Sequence, residues 1–309
     1  MLAVKIVGLT KIFRSGIRQK RVVALDHLDM DIEPGQIVGY IGPNGAGKTT
    51  TFKLLLGLLR PTEGSAQLLG KSIKDIRSRE SIGFLPEQPY FYNYLTAREF
   101  LDFYCQLFNQ DKTTRRRRVA ELLELVNLSD AVDVQLRKFS RGMLQRIGVA
   151  QALINDPQLI FLDEPMSGLD PIGRKQMRDL FLRLKTEMKT VLYSTHILSD
   201  VEAICDQVAI LLRGKLHGFG TLGELLKTRE KRMEMNIEGL DPKGIELIKE
   251  LATETLIERG NQLLVHVSSE AAVYDAQQIV MQRGGKLTSL VARLESLEDL
   301  FVKFVSDQI

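Results

Sequence analysis

Nine residues restrict this chain more than anything else in it: Gly42-Pro43-Asn44-Gly45-Ala46-Gly47-Lys48-Thr49-Thr50. They fit the phosphate-loop pattern G-x-x-x-x-G-K-[ST] at every fixed position. The flanks suit it. Gln36 to Ile41 is a short apolar run of strand character, and Thr50 to Leu59 is Leu-rich, free of Pro and of helix character. Strand, glycine loop and helix in that order predict a mostly parallel α/β sheet. Glycines let the backbone curl around a phosphate without Cβ clashes. The loop amides then point inward as an anion nest at the positive end of the following helix. Lys48 adds a point charge for the β- and γ-phosphates of a nucleotide, and the Thr49 hydroxyl suits Mg²⁺.

A second stretch, Leu159-Ile160-Phe161-Leu162-Asp163-Glu164-Pro165, is an apolar strand that ends in two carboxylates. Asp163 would emerge at the C-terminal edge of the sheet beside the phosphate loop, where a Mg²⁺ ligand is needed. Glu164 directly after it is placed to orient an attacking water or take its proton.

The 309 residues suffice for one large domain and a smaller one, and 44% hydrophobic content supplies a core. A net charge of +3 is too small to argue for nucleic acid. Two cysteines, Cys105 and Cys205, make no disulfide framework and suit a reducing compartment. Met1 to Thr10 carries Lys5 within its apolar run and no cleavage-like site, so no signal peptide is expected. No apolar run reaches membrane-spanning length, so any work at a membrane needs another chain to span it.

Along the chain, the helix after the phosphate loop is expected to end near Arg60-Pro61. Thr96 to Phe108, Arg116 to Leu128 and Arg141 to Ile154 follow as helices, with a capping box at Thr96/Glu99 and a cap at Ser140. They would form an inserted helical subdomain over about 89–153 of a first domain, 1–222. Glu224 to Lys231 reads as a charged connecting helix. A small α+β domain, 223–309, follows in the order β-α-β-β-α-β, closed by an amphipathic helix from Ser296 to Val305. Tyr90, Phe91, Tyr92 and Tyr94 concentrate aromatics in a chain with only 6% of them, which suits either buried packing or an interface. Arg115 to Arg118 reads as a solvated helix face.

Three further segments complete a pattern. Lys138-Phe139-Ser140-Arg141-Gly142-Met143 precedes the carboxylate strand, Ser167-Gly168-Leu169-Asp170 follows it, and Ser194-Thr195-His196 ends a later apolar strand. Together with Gln88 and the two stretches above, they resemble, in order, the motifs of the ATPase subunit of an ABC (ATP-binding cassette) transporter over roughly Leu2 to Thr221. The resemblance implies the P-loop NTPase ABC-ATPase fold. It implies ATP with adenine on Phe13 and phosphates in Gly42 to Thr50, and Mg²⁺ held by Thr49, Asp163 and Gln88. Glu164 would be the base, with His196, Lys48 and Gln88 completing the catalytic set. Ser140 and Gly142 would cover the γ-phosphate of the ATP held by the other protomer of a homodimer, and Asp170, in the D-loop segment, would belong to the ATP-binding set. The signature segment departs from the family pattern at Phe139, Arg141 and Met143. A basic residue before Gly142, and the tail Leu297 to Phe301, resemble the export branch that pairs with separately encoded multi-span permeases of the ABC-2 type. That places the protein in the cytoplasm, peripheral on the inner face of the cell membrane, with no nucleic-acid partner. The alternative is a soluble ABC ATPase acting on ribosomes or nucleic acid. It is disfavoured by a single cassette and the lack of a long heptad segment.

Overall fold

The computed structural model describes residues 1–15, 20–226, 232–259, 262–267, 269–293 and 296–306. It divides into two units, Met1–Leu222 and Gly223–Ile309.

In the first unit β1 (Val4–Ser15) and β2 (Lys20–Ile32) pair antiparallel, and β3 (Ile37–Ile41) leads into α1 (Lys48–Leu55). β4 (Glu63–Leu68) and β5 (Lys71–Ser72) return to β1 and complete an antiparallel sheet in the order β2-β1-β4-β5. Its buried residues Val4, Ile6, Leu9, Leu25 and Leu28 join Phe52 and Leu55 of α1 in one hydrophobic core. The helix stops at Leu55, short of the expected Arg60-Pro61, because Gly57 takes φ +67° and the amides of Leu58 and Leu59 turn back to Lys53 O.

β6 (Ile82–Leu85) is followed by α2 (Ala97–Leu107), α3 (Lys112–Leu125) and α4 (Arg141–Ala152). Thr96 and Glu99 close a capping box on α2, and Ser140 Oγ accepts the Met143 amide at 3.2 Å at the start of α4. α3 begins at Lys112, ahead of the expected Arg116, because Asp111 accepts the amides of Thr113 and Thr114. The arginine run is also less solvated than expected. Arg115 pairs with Asp102 at 2.8 Å, and Arg118 donates to Leu153 O at 2.6 Å, closing the C-terminal end of α4. One helical turn puts these two on the inner side, while Arg117 stays exposed.

The chain then alternates through β7 (Leu159–Asp163), α5 (Pro171–Thr186), β8 (Thr190–Thr195), α6 (Leu198–Ile204), β9 (Gln207–Leu212) and β10 (Lys215–Gly220). The sheet order is β10-β9-β3-β8-β7-β6, parallel except for β10. Every residue of β3, β7 and β8 is buried, as a parallel sheet covered on both faces requires. No helix among the described residues is long and apolar enough to cross a membrane.

After the short α7 (Leu222–Leu225), the second unit contains β11 (Arg232–Glu238), α8 (Pro242–Leu251), β12 (Glu254–Arg259), β13 (Gln262–Val267), α9 (Glu270–Gln282), β14 (Lys286–Arg293) and α10 (Leu297–Ser306). Most of the connecting helix expected over Glu224 to Lys231 lies outside the described residues. The strands form an antiparallel sheet, β12-β13-β11-β14. Alternate residues Met235, Ile237, Leu263, Val265 and Val267 pack against Ile248 of α8 and Val273, Ala276 and Val280 of α9.

Candidate active site

β8 lies between the strand that feeds the phosphate loop and the strand that ends in the two carboxylates. The register aligns Ile41 of β3 with Thr195, and Asp163 of β7 with Ser194. Three strand ends therefore open on one cavity of about 390 Å³. Its walls are the loop from Pro43 to Thr50 together with Ala24, Glu87, Asp163, Glu164, Ser167 and His196.

Backbone contacts dictate the loop's glycines. Gly47 sits at φ +111°, and a Cβ there would meet Ala24 O at 2.4 Å; one on Gly42 would meet Leu211 O at 2.3 Å. Gly47 supplies no side-chain cap and the first turn of α1 carries no acidic residue. The helix N-terminus thus presents its amides and partial positive charge to an anion.

Lys48 is 7% exposed, and its Nζ donates to Gly42 O at 2.6 Å. The same nitrogen lies 3.4 Å from Glu164 Oε1. Glu164 Oε2 is 2.9 Å from His196 Nδ1, on a ring that remains half exposed. Glu164 itself takes the left-handed φ of +51°, which turns its side chain off the strand line into the cavity. Asp163 is almost fully buried; its Oδ1 accepts the Ser194 hydroxyl at 2.5 Å, and its Oδ2 has no hydrogen-bond partner. A free, desolvated carboxylate oxygen in the same cavity wall as the Thr49 hydroxyl is a hard-oxygen donor set, which fits a divalent cation such as Mg²⁺.

Several expected residues stand elsewhere. Gln88 is exposed and does not line the cavity; the bend after β6 gives the wall to Glu87 instead. Phe13 is on β1 opposite Val22, 37% exposed with Lys11 Nζ 5.1 Å from its ring centre, and outside the cavity wall. Gly42 contributes its carbonyl to Lys48 rather than wall surface. Ser140, Gly142 and Asp170 lie outside the cavity, at or near the N-termini of α4 and α5. Asp170 Oδ1 accepts the Gly173 amide at 2.6 Å as the α5 cap. Ala24 and Glu87 line the cavity without a role read from the sequence, and Ser167 and Ser194, quoted there only as members of motif segments, were given none. Ser194 is a lone serine in the strand Thr190–Thr195, which is buried throughout.

Such a cavity can grip a polyphosphate and set a carboxylate against water, which makes this a P-loop nucleoside triphosphatase. The family model for the ABC transporter matches residues 25–167. An uncharacterized ABC transporter ATP-binding protein of Nostoc sp. is 42% identical, over 97% of this chain and 89% of the relative. The bacitracin transport ATP-binding protein BcrA of Bacillus licheniformis is 36% identical, over 98% of this chain and 97% of its own. Among solved structures, a dimeric, post-hydrolysis ATP-binding cassette bound to ADP and Pi matches with a TM-score of 0.65 at 27% identity, covering 71% of this chain and 98% of that one. The chain belongs to the ABC transporter family. It is the ATP-binding subunit of a transporter, and it is an ATPase.

Proposed function

We propose that the protein forms a homodimer around two ATP molecules and drives a separately encoded multi-span permease, as an exporter. The observation that carries the reading is Glu164: one carboxylate, buried in the phosphate cavity, with Lys48 at one oxygen and His196 at the other. Lys48 and the amides of Gly45 to Thr50 bind the polyphosphate. Thr49 and Asp163 hold Mg²⁺, which when bound neutralises phosphate charge and polarises the transferred group. Gln88 is left out of that set. Glu164 orients water and takes its proton, and His196 stabilises the charge that develops on the transferred γ-phosphoryl oxygens as ADP leaves. Phe13, an exposed ring on the strand beside the one that carries Ala24, offers the adenine a stacking face.

Ser140, Gly142 and Asp170 stand outside their own chain's cavity, which suits a role on the partner's ATP. Arg141 lies across the Gly168 backbone, so the two segments assigned to that role already touch. The permease docks on the aromatic cluster after Gln88, where Tyr90 is 80% and Tyr94 67% exposed. The protein then resides in the cytoplasm, against the inner face of the membrane. Export is supported by the basic residue before Gly142 and by the Leu297 to Phe301 tail, features of the branch described above. The boundary between cassette and accessory domain is placed at residue 222.

Affinity purification of the tagged protein from detergent-solubilised membranes, with mass spectrometry, tests this. A stoichiometric multi-span protein is expected. Recovery only in the soluble fraction, with ribosomes or nucleic acid, would overturn the permease assignment and leave the ATPase chemistry standing.

A further inference from the structure

Ser194 has no part in the reaction as set out above, yet it touches both carboxylate residues. It is fully buried, and it faces Asp163 across the β7–β8 ladder. Its Oγ donates to Asp163 Oδ1 at 2.5 Å and accepts the amide of Glu164 at 2.9 Å. That amide belongs to a residue at φ +51°, a conformation that costs free energy for a side chain other than glycine and persists only when its surroundings over-determine it.

We infer that Ser194 is a positioning residue for hydrolysis, one hydroxyl that sets both carboxylates at once. Toward Asp163 it occupies Oδ1 and leaves Oδ2, buried and without a hydrogen-bond partner, as the oxygen for the cation. Toward Glu164 it satisfies the amide that the left-handed turn carries out of the ladder, and so holds the carboxylate between Lys48 and His196. No backbone group can do both, because the donor and the acceptor must be the same atom between two neighbouring residues. A hydroxyl, which donates once and accepts twice, is the smallest side chain that can. The inference rests on the roles proposed above for Asp163 and Glu164.

The test is S194A, with S194T as the hydroxyl-retaining control, read by binding of a fluorescent ATP analogue in EDTA and in Mg²⁺ and by steady-state phosphate release. In S194A, affinity in EDTA should stay within about twofold of wild type, because the phosphate loop is untouched. The gain in affinity that Mg²⁺ brings should shrink about tenfold, on the scale of one lost hydrogen bond to a charged group. The kcat should also fall at least about tenfold at saturating Mg²⁺-ATP, a loss separate from the rise in KM that the weaker Mg²⁺ gain brings. S194T should restore the Mg²⁺ response. An S194A protein with wild-type Mg²⁺ gain and kcat would overturn the inference, as would equal loss of binding in EDTA and in Mg²⁺, which marks a purely structural role. If S194T fails to fold, the split between EDTA and Mg²⁺ affinity in S194A decides alone. D163N and E164Q run alongside separate the two failures. Should D163N keep the wild-type Mg²⁺ response and E164Q the wild-type turnover, the proposed mechanism itself falls; should D163N lose the response and E164Q the turnover while S194A loses neither, only the role of Ser194 falls.

Discussion

His196 Nδ1 lies 2.9 Å from Glu164 Oε2, joining the end of β8 to the residue just beyond β7. With Lys48 3.4 Å from the other oxygen, the carboxylate links the phosphate loop to the two strand ends beyond it. A group so placed can exchange either partner for a phosphate or a water.

Replacing that carboxylate by an amide keeps its shape and removes its basicity. Glu164→Gln should lower kcat by at least about 100-fold while ATP binding persists, and should trap an ATP-bound dimer on size exclusion. A mutant that stays monomeric with ATP, beside a wild type that turns over normally, would defeat the two-site model.

His196→Ala removes a half-exposed ring, so thermal stability should hardly change. Turnover should drop by roughly 100- to 1000-fold if the ring stabilises developing charge. Equal phosphate release by mutant and wild type at saturating ATP would remove His196 from the mechanism.

Gly47→Ala asks the loop to accept a Cβ 2.4 Å from Ala24 O at φ +111°. The strain should cost roughly 1–3 kcal/mol and displace Lys48, so ATP affinity and melting temperature should both fall. Tight nucleotide binding by this variant would mean that the cradle is not where the phosphates sit.

The exposed tyrosines separate docking from chemistry. Tyr90→Ala with Tyr94→Ala should leave ATPase activity of the isolated protein unchanged, because neither ring lines the cavity. Co-purification of the permease should be lost. Undiminished recovery of the membrane subunit would move the docking surface elsewhere.

Burial pushes the Cys205 thiol up to about 12; its sulfur lies 3.4 Å from the Tyr193 hydroxyl. Burial also raises Cys105. Neither cysteine should react with a thiol reagent at pH 8 in the native protein, and both should react after denaturation. In the unfolded chain a thiol ionises near about 8.5. Stability from Cys205 is therefore fully present below that pH and is lost as pH rises from there toward the folded value. Denaturant melts at pH 7.5 and 10 would read the loss.

Much of the architecture was legible because local rules and tertiary demands agree. The caps at Thr96 and Ser140 act where the sequence put them, and the C-terminal β-α-β-β-α-β order folds as the antiparallel sheet β12-β13-β11-β14. Helix ends were less legible. Gly57 stops α1 early and Asp111 starts α3 early, both through single backbone or capping interactions inside a longer apolar pattern. The arginine run misled because a charge run carries no record of which carbonyls and carboxylates the fold will bring to it, here Leu153 O and Asp102.

The phosphate loop and the two carboxylates were legible in the sequence alone, because each depends on residue type at a fixed local spacing; the histidine was legible only through the family resemblance. Which strand runs between the loop and the carboxylates was not, since parallel neighbours are chosen by long-range pairing that no local pattern encodes. That choice, β8 between β3 and β7, puts His196 on Glu164 and Ser194 beside Asp163. The residues of the chemistry were in the chain; their geometry is a property of the sheet.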